Sequence, residues 1–516
     1  MPADFHRLYT GKCGHVFVNW GFEAQASTRC PGSRGDCADL RTLGHVARAF
    51  AISLTVLLNL HCAERGAMRS NPPDSYPFIG AAKDYRLGLN LFTLRSFPLN
   101  FASVQTRRKA SNDRSDWFMN AIVNHIGELA DAGERMIERL RRKAFLPESR
   151  KGLNVRFGIA EAAQLLGCST NRIRMAEDDG RLPPAPAGEN GRRLGYSVEE
   201  LLQMRDVLGA SPARAPLDIP AIIAVQNFKG GVGKSTVTCH LAHYFAVQGY
   251  RVLVVDCDSQ ATTTTLFGFN PHFNITREET LYPYLSIDPT QADLLYAVKS
   301  TPWPNVDLIP SNLELFDVEY ELAAAGSDGQ SVLAARFRKL KQGLADLARN
   351  YDVVLLDPPP ALGTISLAVM QAANALLVPL AATTPDFCST VQFLSMMNQV
   401  LQQLAHAGIE VEYSFLRLIC SKFDSNDPSH AMVRTIMEQS FGPALLPVPI
   451  LESAEISHAA MRMMTIYELE RPIGTPKTHK RCRANLDEAM GQIEQLVRQG
   501  WGRVEPAREE DLLHVA

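Results

Sequence analysis

The sequence lacks a long apolar run, a paired-cysteine motif and a strong net charge, and each absence excludes a class of protein. The most apolar stretch, Ala49–Leu60, has 12 residues, whereas a membrane-spanning helix needs roughly 20. The ten cysteines are scattered, with no C-x-x-C pair and no Cys/His spacing typical of zinc. Lys and Arg number 52 against 55 Asp and Glu, so nucleic acid can bind only at local patches. We expect a soluble, cytoplasmic protein with reduced thiols, and its 516 residues predict three or four domains.

Residues 1–118 differ in composition from the remainder of the chain. They carry 15 Lys and Arg against 9 Asp and Glu, and no helical or strand periodicity persists in them. Two interpretations stay open: an atypical basic extension, or a stretch that is not translated because synthesis starts at Met119. We assign no functional residue there.

An amphipathic helix is predicted over residues 119–147. Apolar or small residues recur at alternating steps of four and three, which places them along one face of a helix. The members of this seam are Ile122, Ile126, Leu129, Gly133, Met136 and Leu140. The seam favours either dimerisation through this helix or packing of the helix on its own domain, and Pro147 ends it.

Residues 156–209 have the pattern of a helix–turn–helix followed by a wing. A short helix from Ile159 leads into a turn, Ser169 is a suitable N-cap, and Thr170–Asp178 forms the second helix. Such a second helix can enter the major groove of DNA. Residues 210–220, rich in Ala and Pro, predict a linker.

This unit resembles the MerR-type winged helix in the order of E-A-A-x-L-L-G-C-S, I-R-x-x-E-x-x-G-x-L-P and R-R-x-x-Y-S-x-E-E-L. The resemblance implies binding to DNA, and a helical hairpin used only for protein contacts is the alternative. The candidate DNA contacts of this unit are Arg172, Arg174, Arg192 and Arg193.

From residue 221 to residue 498 short apolar segments alternate with amphipathic ones, and an acidic tail follows at 499–516. The alternation predicts an α/β fold with a doubly wound, mostly parallel sheet. Strand, glycine-rich loop and helix succeed each other at 221–248, which is typical of a phosphate-binding loop. There Lys234 can reach the β- and γ-phosphates of a nucleotide, and the Ser235 hydroxyl can bind Mg²⁺. The predicted nucleotide-binding residues are Lys229, Gly230, Gly231, Val232, Gly233, Lys234, Ser235 and Thr236.

Three carboxylates follow two further apolar segments. Asp256 and Asp258 come after one of these predicted strands, and Asp357 ends the other. Ligands collect at the carboxyl ends of strands in a doubly wound sheet. We therefore expect Asp357 to hold Mg²⁺ through water, as the acidic residue of a phosphate-loop enzyme does.

Lys229 departs from the usual phosphate loop, whose first position is Gly. A lysine there resembles the deviant Walker A motif of the ParA/MinD ATPases. The resemblance implies a nucleotide-sandwich dimer in which Lys229 acts catalytically on the nucleotide of the other subunit, alongside Lys234 in its own site. It also implies that Asp258 orients the attacking water and that residues 358–363 sense the γ-phosphate. We count Asp256 with Ser235 and Asp357 among the expected metal-site residues, and expect it to lie behind the direct ligands. Ser259 replaces the family's usual proline, which leaves the turnover rate open.

Residues 119–498 as a whole resemble the large plasmid partition ParA proteins, including RepA of repABC-type replicons. The resemblance implies a dimeric, Mg²⁺-dependent ATPase for DNA segregation that binds DNA non-specifically with ATP at the nucleoid. It further implies stimulation by a ParB- or RepB-like centromere-binding partner and repression of its own operon. A basic cluster supplies the candidate non-specific contacts: Arg471, Lys477, Lys480, Arg481 and Arg483. Glu452 stands where relatives tend to carry a basic residue, so this surface departs from the family pattern.

A second class of function stays open, a transcriptional repressor that uses its nucleotide site mainly as a sensor. Stimulation of ATP turnover by a partner distinguishes the two. A MinD-like membrane-cycling ATPase is disfavoured because residues 487–511 offer little basic apolar surface. A phosphate-loop kinase is disfavoured because no acceptor domain is evident.

Overall fold

The computed structural model describes residues 123–136, 139, 153–212, 214–324, 330–406, 409 and 411–503. The predicted basic extension at 1–118, the seam residues Ile122 and Leu140, the helix end at Pro147 and the tail from 504 onward lie outside the described residues. No described helix is long and apolar enough to cross a membrane.

Residues 123–136 are helical, as the seam predicts. Ile126, Leu129 and Met136 keep 60%, 60% and 53% of their surface exposed. The described residues thus place no protein core against this seam, and its coverage by a second copy stays a prediction.

Three short helices form the predicted DNA-binding unit: α1 (Ile159–Leu165), α2 (Thr170–Asp178) and α3 (Val198–Leu208). The Ser169 hydroxyl caps α2 by accepting from the Arg172 N–H (3.3 Å), as the sequence predicts. Ser197 and Glu200 form a capping box on α3. Between α2 and α3 the chain makes a hairpin in which residues 187 and 193 pair antiparallel, so a wing follows the helix–turn–helix.

A seven-stranded sheet lies at the centre of the remaining chain. Its strands are β1 (Ala221–Val225), β2 (Val252–Asp256), β3 (Lys299–Ser300), β4 (Val306–Ile309), β5 (Val353–Asp357), β6 (Ala375–Ala381) and β7 (Phe415–Ser421). The order across the sheet is β3-β4-β2-β5-β1-β6-β7, and β3–β4 is the antiparallel pair among the described strands. The central strands consist mainly of Val, Ile, Leu and Ala and are almost entirely buried, as expected for a parallel sheet with helices on both faces.

The helices of this unit include short connecting ones as well as long ones. They are α4 (Lys234–Gln248), α5 (Thr262–Leu266), α6 (Tyr282–Leu285), α7 (Phe316–Ala324), α8 (Gln330–Leu347), α9 (Thr364–Ala372), α10 (Thr384–His406), α11 (Pro428–Phe441), α12 (Ala454–Met461) and α13 (Pro476–Gly500). After α13, the Trp501 indole N–H donates to the carbonyl oxygen of Ile219 (2.9 Å). The folded region therefore extends past residue 498, where the sequence predicts the tail to begin.

The winged-helix unit and the sheet unit share one hydrophobic cluster. At their junction Arg205 of α3 is only 5% exposed. Its Nη2 donates to the carbonyl oxygens of Leu165 (2.9 Å) and Val247 (3.1 Å), at the C-terminal ends of α1 and α4. A guanidinium is favourable there because these helix ends carry partial negative charge. Gly249 passes so close that a Cβ on it would lie 2.5 Å from Arg205 Cδ, so glycine is required.

The predicted linker at 210–220 lies against the sheet unit. Arg214 Nε donates to the carbonyl oxygen of Tyr351 (2.9 Å), and its Nη1 donates to that of Asp218 (2.8 Å). The Arg214 N–H donates to the buried carboxylate of Asp352 (3.3 Å). The two units are therefore joined by contacts rather than by a free tether.

Candidate nucleotide site and DNA-binding surfaces

The glycine-rich loop joins the carboxyl end of β1 to the first turn of α4. Gly231 and Gly233 have φ angles of +81° and +91°, a left-handed region that residues with a Cβ rarely adopt. Because β1 lies between β5 and β6, the loop stands at the middle of the sheet's carboxyl edge. Loop N–H groups and the N-terminus of α4 thus have the geometry of an anion-binding concavity.

Two polar residues outside the predicted motif hold this loop. Asn227 Oδ1 accepts from the Lys229 N–H (3.1 Å), and its Nδ2 donates to a β6 carbonyl oxygen (2.8 Å) and to Thr390 Oγ1 (3.0 Å). Ser421, the last residue of β7, donates its hydroxyl to the carbonyl oxygen of Val232 (2.7 Å). Sequence reasoning missed both because their contacts join positions 152 to 189 apart in the chain. The available signal was a polar residue at or just beyond the carboxyl end of an apolar strand.

Lys234, the first residue of α4, is 7% exposed. Its Nζ lies 3.4 Å from the carbonyl oxygen of Lys229, so the side chain folds back over the loop. Burial lowers the pKa of Lys234, and the carboxylates of Asp357 and Asp258 oppose that shift. The ammonium is thus held where it can neutralise the β- and γ-phosphates of a nucleotide.

Asp357 brings an unpartnered oxygen to the site. The residue is fully buried and is the register partner of Asp256 across β5 and β2. Its Oδ2 accepts from the Thr263 hydroxyl (2.7 Å), whereas its Oδ1 has no hydrogen-bond partner among the described residues. Burial raises the pKa of Asp357 to about 6, and the hydroxyls of Thr263 and Ser235 and the Lys234 ammonium oppose the shift. A buried carboxylate oxygen without a partner fits a bound cation.

Asp256 supports the segment that carries Asp258. Its Oδ1 accepts from the Asp258 N–H (3.1 Å), and its Oδ2 accepts from the N–H and the hydroxyl of Thr264 (2.8 and 2.7 Å). Burial and the neighbouring Asp357 raise the pKa of Asp256 well above its ordinary range. Because both oxygens have protein partners, Asp256 braces the site from behind instead of offering a free oxygen to a metal.

Asp258 lies at the same carboxyl edge of the sheet, two residues beyond the end of β2. It is 8% exposed, and its Oδ1 accepts from the Gln260 N–H (3.0 Å). The turn after β2 thereby fixes this carboxylate beside Lys234.

A magnesium ion fits these residues. Asp357 Oδ1 and the Ser235 hydroxyl are hard oxygen donors, which Mg²⁺ prefers. The described residues contain no group of three or more His, Cys, Asp or Glu that could hold a metal. Mg²⁺ would therefore be held by Ser235 and Asp357 together with phosphate oxygens and water, which is its usual arrangement in nucleotide sites.

Lys229 stands half-exposed at the start of the loop. Asn227 holds its N–H, whereas no described residue accepts a hydrogen bond from its ammonium. The backbone of Lys229 is thus positioned while its side chain stays available.

Two of the four candidate arginines of the winged helix brace the unit itself. Arg172 Nη2 donates to the carbonyl oxygen of Leu208 (2.9 Å), at the end of α3. Arg193 contacts the carboxylate of Glu177 and donates to the Tyr196 hydroxyl (2.8 Å). These contacts tie α2 to the wing and to α3, so both guanidinium groups already have acceptors.

The other two candidate arginines of this unit are exposed like the first two, but their side chains lack protein partners among the described residues. Arg174 lies on the outer face of α2 and Arg192 lies in the wing. Neither side chain makes a hydrogen bond or an ion pair with a described residue. Their guanidinium groups therefore keep all of their donors for another acceptor.

The predicted C-terminal basic cluster also contains a residue that is held by protein contacts and residues that are exposed. Arg483 Nε donates to Asp487 (3.1 Å), and its guanidinium lies 4.1 Å from the centre of the Tyr467 ring. Arg483 is therefore held along α13. The remaining members are exposed at the start of α13 or just before it: Arg471, Lys477, Lys480 and Arg481.

Glu455 organises the segment that presents these cations. Its carboxylate is 1% exposed and accepts from the N–H groups of Ile473 (2.8 Å) and Gly474 (2.9 Å). His479 Nδ1 lies 3.2 Å from the same carboxylate. Sequence reasoning missed Glu455 because its partners come from a separate loop.

Known proteins resemble this chain over much of its length. An AAA domain family model matches residues 220–410. The replication protein A of Rhizobium rhizogenes is 32% identical over 382 residues, which cover 72% of this chain and 94% of that protein. SopA of Escherichia coli K12 is 33% identical over 355 residues, which cover 67% of this chain and 90% of that protein.

A solved structure described as a partition protein has the same fold. Its TM-score to this chain is 0.50 at 17% sequence identity, and the match covers 75% of this chain and 99% of that one. Since about a third of the residues are identical across nearly the whole length of the two sequence relatives, the chain belongs to the ParA/SopA-type family of plasmid partition ATPases.

Proposed function

We propose that this protein hydrolyses ATP with Mg²⁺, as a nucleotide-sandwich dimer, to segregate DNA. The observation that carries the proposal is the buried, unpartnered oxygen of Asp357 beside Lys234. Asp357 lies at the carboxyl edge of the sheet, where the glycine loop also starts. The family of the chain makes ATP the expected nucleotide.

Each polar group of the site then has one task. Loop N–H groups and Lys234 bind and orient the β- and γ-phosphates. Ser235 and Asp357 hold Mg²⁺, which supplies positive charge to the phosphate oxygens when bound. Asp258 accepts a hydrogen bond from the attacking water and so aligns it with the γ-phosphate.

Lys229 acts on the nucleotide of the second copy. Its backbone is fixed by Asn227 while its ammonium has no described acceptor, which supports a contact across a dimer. A cation added in trans neutralises charge that develops on the transferred phosphoryl group. The same lysine thereby makes turnover depend on dimerisation.

DNA binds at two surfaces in this proposal. The winged helix, residues 156–209, recognises the operator of its own operon through Arg174 and Arg192. The exposed cations at the start of α13 bind phosphates without sequence preference, through release of counterions. We place the protein in the cytoplasm at the nucleoid, with a ParB- or RepB-like partner that stimulates hydrolysis.

A nucleotide-sensing repressor is the second candidate, and one contact favours it. Arg205 joins α3 of the winged helix to the C-terminal end of α4, the helix that begins at the phosphate loop. Nucleotide binding and operator binding are therefore connected through a single helix.

ATP turnover by the full chain tests the proposal. The rate is measured for the protein alone, with non-specific DNA, and with that DNA plus the protein encoded immediately downstream. We expect slow basal turnover that rises severalfold only when both are present, and none with Lys234→Ala. A flat rate, with nucleotide changing only the affinity for the promoter, contradicts the segregation proposal and supports the repressor.

A further inference from the structure

The segment after Asp357 is anchored at both of its ends. At one end Asp357 is held at the end of β5, where Thr263 donates to its Oδ2. At the other end the carboxylate of Glu319, from α7, accepts from the N–H of Thr364 (2.7 Å) and from the N–H of Ile365 (2.9 Å). These are the first N–H groups of α9. Residues 357–363 thus span two fixed points.

Glu319 takes the place of an ordinary N-cap. Gly363 is the N-cap residue of α9 and has no side chain to bond the helix, so the cap comes from a residue 45 positions earlier. A carboxylate is favourable there because a helix N-terminus carries partial positive charge. Sequence reasoning did not single out Glu319, since it lies on another helix.

Gly363 and Glu319 are also sterically matched. A Cβ on Gly363 would lie 2.6 to 2.7 Å from three atoms of the Glu319 carboxyl group. Real Cβ contacts are longer, so any side chain at 363 has to displace the carboxylate. The cap therefore requires both residues.

The composition of the segment makes this anchor matter for a bound nucleotide. Pro358, Pro359 and Pro360 have no N–H groups. The backbone donors of the segment are consequently those of residues 361–363, and no described residue accepts a backbone hydrogen bond from them. These three N–H groups directly precede the Glu319 anchor.

We propose that Glu319 is a positioning residue for ATP hydrolysis. By capping α9 it fixes the place of the N–H groups of 361–363 relative to Asp357 and the phosphate loop. The inference rests on the proposed ATPase function. It adds that the segment facing the γ-phosphate is held by a carboxylate on a different helix.

The first test separates kcat from nucleotide affinity. Glu319→Ala leaves the phosphate loop intact, so affinity for a non-hydrolysable ATP analogue should stay within about twofold. Turnover should fall about tenfold or more, because small displacements of donors around a reacting group are costly. Glu319→Gln keeps one acceptor oxygen and should lie between wild type and Glu319→Ala.

Glu321 supplies the matched control on the same helix. Its carboxylate accepts from the Tyr282 hydroxyl and from the Ile287 N–H (3.2 Å) and pairs with Arg277 (4.0 Å). Among the described residues it makes no hydrogen bond or ion pair with 357–365. Glu321→Ala should therefore lower thermal stability without lowering kcat. Equal kcat values for Glu319→Ala and Glu321→Ala would overturn the inference.

The second test is a double-mutant cycle with Gly363→Ala. Alone, Gly363→Ala should lower kcat because its Cβ displaces the carboxylate. In the Glu319→Ala background that carboxylate is absent, so Gly363→Ala should lower kcat by no more than about twofold further. Full additivity of the two changes contradicts the inference. If Glu319→Ala is too unstable to assay, Glu319→Ser replaces it in the cycle, because serine also lacks the group that a Cβ on residue 363 would meet. If the wild-type chain shows no turnover at all, the proposed function fails instead.

Discussion

The candidate nucleotide site and the predicted DNA-binding surfaces both depend on charged side chains, but different levels of structure decide their roles. At the nucleotide site the predicted residues meet because parallel strands end at one edge of the sheet. At the predicted DNA-binding surfaces three of the nine candidate cations already bond to the protein itself: Arg172, Arg193 and Arg483.

The difference follows from how each kind of residue is constrained. The side chain of a polar residue at the end of a buried strand can point only toward the carboxyl edge of the sheet. The order of the strands then determines which residues lie beside it. An arginine on a surface has a long, flexible stem and five donors. Whichever carbonyl or carboxylate lies within reach can bind it, and that acceptor belongs to a distant part of the chain.

The strongest test of the nucleotide site is Lys234→Ala. Removing the ammonium should weaken nucleotide binding more than about 100-fold, because a charge-assisted contact to the phosphates is lost. Titration with a fluorescent ATP analogue measures this. Lys229→Ala is the matched control: its affinity should stay within about threefold while its turnover is lost. Equal losses of affinity would contradict the separate roles of the two lysines.

Arg205→Ala tests whether the two units are joined by this buried guanidinium. It should lower the free energy of unfolding by about 2 kcal/mol, because hydrogen bonds from a charged donor to two helix ends are lost. Urea unfolding measures the change. Arg156→Ala is the control, since Arg156 pairs with Glu200 at a partly exposed site, and should cost less than about 1 kcal/mol. A wild-type midpoint for Arg205→Ala would refute the assignment.

Arg174→Ala tests whether a winged-helix arginine without a protein partner contacts DNA. Operator affinity should fall about tenfold, the cost of one lost contact to a base or phosphate, while ATP turnover stays at the wild-type rate. Fluorescence anisotropy with promoter DNA and with unrelated DNA measures both affinities.

Arg172→Ala is its counterpart. It should lower the melting temperature through the lost contact with Leu208, with operator affinity within about threefold at temperatures well below melting. If Arg172→Ala weakens operator binding as strongly as Arg174→Ala, the bracing role is wrong.

The smallest expected effect is the acid sensitivity of the Glu455 contact. Burial acts to raise the pKa of Glu455, but the N–H groups of Ile473 and Gly474 and the side chain of His479 outweigh it, so the pKa lies below its ordinary value of 4.5. The resulting stability is present above 4.5 and is lost as pH falls through the folded-state pKa. Urea unfolding between about pH 6 and pH 3 should show a shallower acid loss for Glu455→Gln than for wild type. If the stability of Glu455→Gln and of wild type falls equally with decreasing pH, the Glu455 carboxylate does not contribute to the acid loss.

Much of the fold was predictable because its signals are local. Apolar runs ended at the observed strand ends, and α2 begins at the predicted cap, Ser169. The phosphate loop was recognised because its residues are consecutive. Asn227, Ser421 and Glu319 were not, since each acts on a segment far away in the chain.

The sequence by itself determined the mostly parallel sheet, the glycine loop and the carboxylates that lie beside it, because strand periodicity and consecutive motifs depend on neighbours in the chain. Only the tertiary structure decided which of the predicted arginines bond to the protein itself, that Arg205 joins the winged helix to α4, and that Glu319 caps α9. The physical reason is that a charged side chain takes its role from the nearest acceptor or donor in space, and in these cases the partner comes from a segment that no local pattern brings near.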